Sequence, residues 1–292
     1  MFEGLFPALV TPFEGDRVNT AALKRLVQDL INKGADGLVP LGTTGEAPTL
    51  SAAERDQVVA ACVEVAGGRL PVIAGTGTND TRATIERTRR AAELGAAAAL
   101  VICPYYNKPT QEGLYRHFMA VADASPLPLV LYNIPGRTSV NLLPATLERL
   151  CAHERIAAIK EASGNLDQIS ETVLRCGEHM TVLAGDDSLI LPTLAVGGRG
   201  AISAAACVIP AELKQVMKYF FTGQVLDAAQ LHLRLWPLLK MLFIETNPIA
   251  VKEALNRMGY SVGDVRLPLA PLQESNQAAL VQEMQRHGLI RE

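Results

Sequence analysis

Short apolar runs recur along the chain at nearly even intervals, each followed by a stretch with helical spacing. The runs cover residues 6–10, 37–41, 72–75, 98–102, 129–133, 156–160, 181–185 and 201–203. They are mostly continuous rather than alternating, as expected of parallel strands buried on both faces. The stretch 21–31 places apolar residues three and four apart and ends near Gly34, a plausible C-terminal cap. Ser51, with Glu54 three residues later, forms a capping-box pattern at the start of the next helix. Asp80-Thr81 opens another, which runs to Leu94 and stops at Gly95.

Eight strand–helix alternations predict an α/β chain with a (β/α)8 TIM barrel, and an open doubly wound sheet is the alternative that the repeat alone leaves standing. Past Pro210 the strand pattern ends, and helices are predicted at 211–221, 225–244, 249–258 and 276–287. The first of these completes the barrel, so the division is a barrel over 1–223 and a C-terminal helical layer over 224–292. Pro237 should kink the second helix unless a new segment begins there.

The 292 residues are 49% hydrophobic and 20% charged, with net charge -3, a globular composition. No apolar run reaches the ~20 residues of a membrane span, and the first residues lack the basic-then-apolar order of a signal peptide. Thinly spread Lys and Arg give no nucleic-acid footprint. Cys62, Cys103, Cys151, Cys176 and Cys207 are odd in number and lack CxxC pairs. That excludes a disulfide framework and a zinc cluster, and fits a reducing cytoplasm.

Lys160 changes the picture most. It closes the apolar run Ile156-Ala157-Ala158-Ile159 and is followed by Glu161. A lysine is costly to place in an apolar strand. An amine taken out of water is shifted toward its neutral form, which attacks a ketone or aldehyde carbon to form a Schiff base. A snorkelling lysine, or one paired with Glu161, is the alternative.

In a barrel of this class the chemistry sits at the C-terminal strand ends. Those ends carry Gly42-Thr43-Thr44-Gly45-Glu46, Ala74-Gly75-Thr76-Gly77, Cys103-Pro104-Tyr105-Tyr106-Asn107, Tyr132-Asn133-Ile134-Pro135-Gly136-Arg137-Thr138 and Gly185-Asp186-Asp187. The Thr43-Thr44 loop can cradle a carboxylate or be an ordinary turn. Tyr132 can move protons beside Lys160 or be a core tyrosine. Arg137 matches a carboxylate or is a solvated surface arginine. Tyr105-Tyr106 can form a lid, an interface anchor or packing. Asp186-Asp187 are expected to make structural hydrogen bonds rather than bind a metal, because neighbouring strand residues face opposite sides. Gly197-Gly198-Arg199-Gly200 precedes the eighth strand and is expected to be a tight helix-to-strand turn.

Together these motifs, with Val10-Thr11-Pro12-Phe13 and Ile159-Lys160-Glu161-Ala162, resemble the 4-hydroxy-tetrahydrodipicolinate (formerly dihydrodipicolinate) synthases. These belong to the pyruvate-dependent class I aldolase superfamily, which includes N-acetylneuraminate lyase. The resemblance implies condensation of pyruvate with L-aspartate 4-semialdehyde at the entry to lysine and diaminopimelate biosynthesis. It implies that Lys160 carries the Schiff base and that Thr43, Tyr132 and Tyr106 relay protons, Tyr106 from a neighbouring subunit. Thr44, with Thr43, would hold the pyruvate carboxylate. Arg137 would hold that of the aldehyde, and main-chain groups of Gly185 and Ile202 would line the site. It further implies a cytoplasmic homotetramer that needs no metal or organic cofactor. A 2-keto acid aldolase acting on a sugar acid is the alternative, set apart by Arg137, and a silent pyruvate-binding protein is a third reading. In lysine-inhibited relatives an effector pocket lies near the second and third strand loops. This chain keeps Asn79 and Tyr105 there, but has Ala52, Arg55 and Ala83 where the inhibited pattern has two histidines and a glutamate. Weak or absent feedback follows.

Overall fold

The structure, a computed structural model, describes residues 2–291. In chain order it contains β1 (Gly4–Pro7), β2 (Phe13–Glu14), β3 (Arg17–Val18), α1 (Thr20–Asn32), α2 (Ala52–Ala66), β4 (Ile73–Gly75), α3 (Thr81–Glu93), β5 (Ala98–Ile102), α4 (Gln111–Ala124) and β6 (Leu129–Asn133). There follow α5 (Pro135–Thr138), α6 (Pro144–Leu150), β7 (Ile156–Glu161), α7 (Leu166–Cys176), β8 (Thr181–Ala184), α8 (Ile190–Ala195) and β9 (Gly200–Ser203). The chain ends in α9 (Pro210–Phe221), α10 (Val225–Met241), α11 (Ile249–Arg257) and α12 (Glu274–Arg286). The repeat and its parallel sheet are of the (β/α)8 class, with a C-terminal helical extension.

The chain folds into two compact units. The first takes the residues up to Gly4 together with Pro71–Ile202, and the second takes Leu5–Leu70 and the chain from Ser203 onward.

In the first unit the strands run in the order β9-β8-β7-β6-β5-β4. Every neighbouring pair is parallel, as βα crossovers require. Leu100, Val101, Val130, Leu131, Ala158, Ile159, Leu183 and Ile202 are all buried, which explains their continuous apolar pattern. The Gly4 amide donates to the Arg199 carbonyl at 2.9 Å, seating the start of β1 at the β9 edge. A β-carbon on Gly200 would lie 2.1 Å from the Gly4 carbonyl oxygen, so only glycine permits this approach. The glycine-rich stretch before β9 is the expected turn, closed by the Gly198 amide on Thr193 at 2.8 Å.

In the second unit α1 packs on α2, α9 on α10, and α12 on α10 and α11. The interior is built from Leu23, Leu26, Leu30, Val58, Leu213, Leu238, Leu255 and Leu280. The Ser51–Glu54 capping box is present in both directions, and Asp80 caps its helix in the first unit. Helix α10 runs through Pro237 and stops at Met241, short of the expected 244.

The first strand spans Gly4–Pro7 rather than 6–10, and two further elements differ from the sequence expectation. Residues 37–41 form isolated bridging, including the parallel pairing of Ala8 with Val39, rather than a strand. Pro40 has no amide hydrogen to continue a ladder, and Leu41 turns to φ +60°. The hairpin β2–β3 was missed, although Gly15 (φ +55°) with Asp16 is a recognisable two-residue turn.

Candidate active site

Lys160 lies on β7, paired in register with Tyr132 on β6. Both are buried, at 6% and 3% exposure, and the Lys160 Nζ sits 4.2 Å from the centre of the Tyr132 ring. The strand pairing thus places an amine over a phenol's π face, a contact that attracts a cation. Lys160 makes no ion pair among the described residues. Its neighbour Glu161 points to the other side of the strand, as alternation requires. The paired and snorkelling alternatives for Lys160 therefore fail.

Gly185 follows β8, and its amide donates to the Glu161 carbonyl at 2.7 Å. A β-carbon there would meet Lys160 Cγ at 2.9 Å and Ala162 Cβ at 2.7 Å. The bare backbone at 185 is what leaves room for the lysine stem. Ile202, on β9, is fully buried.

Glu161, which the sequence offered only as a partner for Lys160, instead anchors a buried hydrogen-bond network. Its carboxylate accepts from the Ser163 amide at 2.6 Å and from Asn133 Nδ2 at 3.0 Å. Asn133 Nδ2 also donates to Asn141 Oδ1, its Oδ1 accepts from the Leu142 amide, and Asn141 exchanges hydrogen bonds with Gln168. Burial raises the Glu161 pKa, opposed by these donors. The network ties the end of β6 to the 134–142 loop that carries Arg137. The signal was present, as an acid buried at a strand end needs partners. Arg137 itself is exposed, on the short helix α5, where Thr138 Oγ1 lies 2.8 Å from the Val140 carbonyl and 3.0 Å from the Ile134 carbonyl and shares its one proton between them.

Tyr106 is 86% exposed on a backbone at φ +73°. Asn107 Nδ2 anchors this loop to the Asn79 carbonyl at 2.9 Å, and the Tyr105 hydroxyl lies 3.4 Å from Thr78 Oγ1. Asn79 and Tyr105 are thus brought together beside one loop of the first unit.

Thr43, Thr44 and Arg55 belong to the second unit. Thr44 is 3% exposed, and its Oγ1 accepts from Asn247 Nδ2 at 2.8 Å. Their loop is closed by the Gly45 amide on Gly42 and the Glu46 amide on Thr43. Glu46 has φ +52° and forms a buried ion pair with Lys252, Oε1 to Nζ 2.8 Å. Its other oxygen accepts from the Arg266 amide at 2.8 Å. Lys252 Nζ and the Arg266 guanidinium carbon each lie 4.1 Å from the centre of the Phe13 ring. Arg55 donates to the Ala47 and Leu50 carbonyls.

Asp186 behaves as expected, accepting from the Ser188 amide and hydroxyl. The five cysteines are buried, and burial pushes the Cys62 thiol up to about 12, so it stays protonated. Among the described residues no group of three His, Cys, Asp or Glu side chains could hold a metal, and no helix is long and apolar enough to cross a membrane.

A model of the dihydrodipicolinate synthetase family matches residues 1–287. The 4-hydroxy-tetrahydrodipicolinate synthase of Citrifermentans bemidjiense is 50% identical over 290 residues, covering 99% of this chain and 100% of the relative. The dihydrodipicolinate synthase structure from Thermotoga maritima superposes with TM-score 0.98 at 40% identity, covering 99% of this chain and 100% of that one. The chloride-inhibited dihydrodipicolinate synthase of Acinetobacter baumannii, solved in complex with pyruvate, gives 0.97 at 41% identity, with 99% and 100% covered.

Proposed function

The chain belongs to the dihydrodipicolinate synthetase family, and from that premise we propose that it condenses pyruvate with L-aspartate 4-semialdehyde to give 4-hydroxy-tetrahydrodipicolinate. The observation that carries the reading is the buried Lys160 amine, without an ion pair among the described residues and set over Tyr132. The amine adds to the pyruvate carbonyl and the adduct loses water to an imine. Loss of a C3 proton gives the enamine, the protonated imine serving as electron sink. The enamine carbon attacks the aldehyde. The amino group of that partner then attacks the imine carbon, closes the ring and expels Lys160.

Thr43 and Thr44 take the pyruvate carboxylate, and Thr43, Tyr132 and Tyr106 move the protons. Gly185 and Ile202 present main-chain groups, and Arg137 takes the carboxylate of the aldehyde. A tyrosine as exposed as Tyr106, on a backbone in the left-handed region, supports its use by a neighbouring subunit, and with it a homotetramer. A cytoplasmic setting agrees with five buried cysteines and no disulfide among the described residues.

Borohydride reduction in the presence of pyruvate, followed by peptide mapping, tests the central step: a pyruvate adduct on Lys160 is expected, and its absence from folded protein refutes the mechanism. Arg137→Ala should keep that adduct and raise the KM for the aldehyde by roughly tenfold or more, the worth of a charge-assisted pair. An unchanged KM would favour a sugar-acid aldolase.

A further inference from the structure

Thr44 is held by a residue 203 positions away. The donor is Asn247 Nδ2, at 2.8 Å from Thr44 Oγ1, and both groups are buried. A threonine hydroxyl has one proton to give. When its oxygen accepts from an amide, that proton is turned toward another acceptor. If Oγ1 were instead the donor to residue 247, its lone pairs would face the substrate carboxylate and repel it.

A second grip holds the same loop. Glu46 sits in the left-handed region at φ +52°, a strained conformation for a non-glycine residue. Its carboxylate is held on both oxygens, by Lys252 Nζ at 2.8 Å and by the Arg266 amide at 2.8 Å. Lys252 spends a further proton on the Asp264 carbonyl at 2.7 Å. Arg266 continues outward to the Thr49 carbonyl at 3.0 Å and the Glu54 carboxylate at 2.5 Å. Asn247, Lys252 and Arg266 all come from the segment after residue 240, and Thr11 Oγ1 adds a donor to the Gly45 carbonyl at 2.7 Å. The loop itself, Gly42 to Gly45, has only small or hydroxylated side chains, and its own bonds are the two backbone turns that close it.

We propose that Asn247 and Lys252 are positioning residues for the carboxylate-binding loop: Asn247 commits the Thr44 hydroxyl proton to the substrate carboxylate, and Lys252, through Glu46, holds the turn in which Thr44 stands. The proposal rests on the reading that Thr44 binds the pyruvate carboxylate.

The deciding variant is Asn247→Asp, nearly the same shape but an acceptor at neutral pH. It reverses the hydrogen bond and adds a negative charge. The KM for pyruvate is expected to rise about tenfold or more while kcat stays within a few-fold, since a hydrogen bond to a charged group is lost from binding. The rise should shrink as the pH is lowered and the new carboxyl regains a proton to donate. Asn247→Ala, which removes the donor without supplying an acceptor, should give a smaller rise. Lys252→Met alone strands the Glu46 charge and is expected to lose folded protein. The pair Glu46→Gln with Lys252→Met should fold and raise the KM for pyruvate several-fold.

Thr44→Val separates the two levels. If it leaves the KM for pyruvate unchanged, the parent reading of Thr44 fails and the proposal falls with it. If it raises that KM while Asn247→Asp is silent, the parent reading stands and the Asn247 part is overturned. A wild-type KM in the folded double variant overturns the Lys252 part. Equal losses of kcat in both Asn247 variants, with unchanged KM, would also overturn the Asn247 part.

Discussion

Adding one methyl group at Gly185 should disable the enzyme without unfolding it. The new β-carbon would stand 2.7 Å from Ala162 Cβ, 2.9 Å from Lys160 Cγ and 3.0 Å from the Glu161 carbonyl oxygen. Carbon atoms rest at about 3.5–4 Å, so roughly 1 Å must be found. The Glu161 carbonyl cannot supply it, because it accepts the Gly185 amide at 2.7 Å. The lysine stem is the only one of the three neighbours with free torsions, so it moves. Overpacking of this kind costs about 1–3 kcal/mol of stability. Misplacing a reacting group by about 1 Å costs on the order of a hundredfold in rate, or about 2.7 kcal/mol of barrier. Gly185→Ala is therefore expected to melt cooperatively, somewhat below wild type, while imine formation slows about a hundredfold. The measurements are a thermal melt and the rate at which borohydride traps pyruvate on Lys160. Gly136→Ala, where an added β-carbon meets nothing within 4 Å, is the control for stability. A folded Gly185→Ala protein that forms the adduct within threefold of the wild-type rate would show that the lysine stem is not confined as argued.

The Glu54–Arg266 pair should mark the acid limit of the second unit. Arg266 is the main cause that lowers the Glu54 pKa to about 2 from 4.5. Its stabilisation is therefore complete above pH 4.5 and lost as pH falls through about 2. Glu54→Gln should cost about 1–2 kcal/mol at neutral pH and remove that part of the acid slope, as read by urea titration at several pH values. Burial, the largest cause, lowers the His117 pKa to about 4. The unfolded chain then binds the proton more tightly, so stability is present above pH 6.5 and falls as pH drops toward 4. His117→Gln should flatten that interval, and an unchanged slope would exclude the residue. L-Lysine should leave the rate unaffected below the millimolar range, because Arg55 is engaged with the Ala47 and Leu50 carbonyls and position 83 is an alanine. Submillimolar inhibition in a steady-state assay would contradict this.

The residues that carry charge or a phenol at strand ends were legible because they break a pattern. Lys160 interrupts an apolar run, and Tyr132 follows three aliphatic residues at the matching position of the neighbouring strand. The runs at 98–102 and 129–133 became strands with those bounds, since nothing in them competes with the ladder. At 37–41 Pro40 does compete, and the apolar pattern alone could not weigh a missing amide hydrogen against it. The identity of Glu161 was readable, but its role was not. Its partners Asn133 and Gln168, with Asn141 bridging those two, are ordinary polar residues until the fold sets them around one buried carboxylate.

Positioning is less visible in a sequence than chemistry for a physical reason. A nucleophile must be one of a few residue types, whereas a residue that aims a hydroxyl need only offer a donor at the right point in space. Asn247 lies 203 residues from Thr44, in a connecting segment with no motif around it. Lys252 is a lysine as buried as Lys160, at 1% against 6% exposure, and also sits over an aromatic ring. What separates them is the partner: Lys252 spends its protons on Glu46 and the Asp264 carbonyl, while Lys160 makes no ion pair among the described residues. The Lys252 amine is committed to a buried ion pair, and the Lys160 amine is the one proposed to add to a carbonyl. Two lysines with similar burial therefore differ by their neighbours, one clamped on Glu46 and the other set over Tyr132 as the proposed nucleophile.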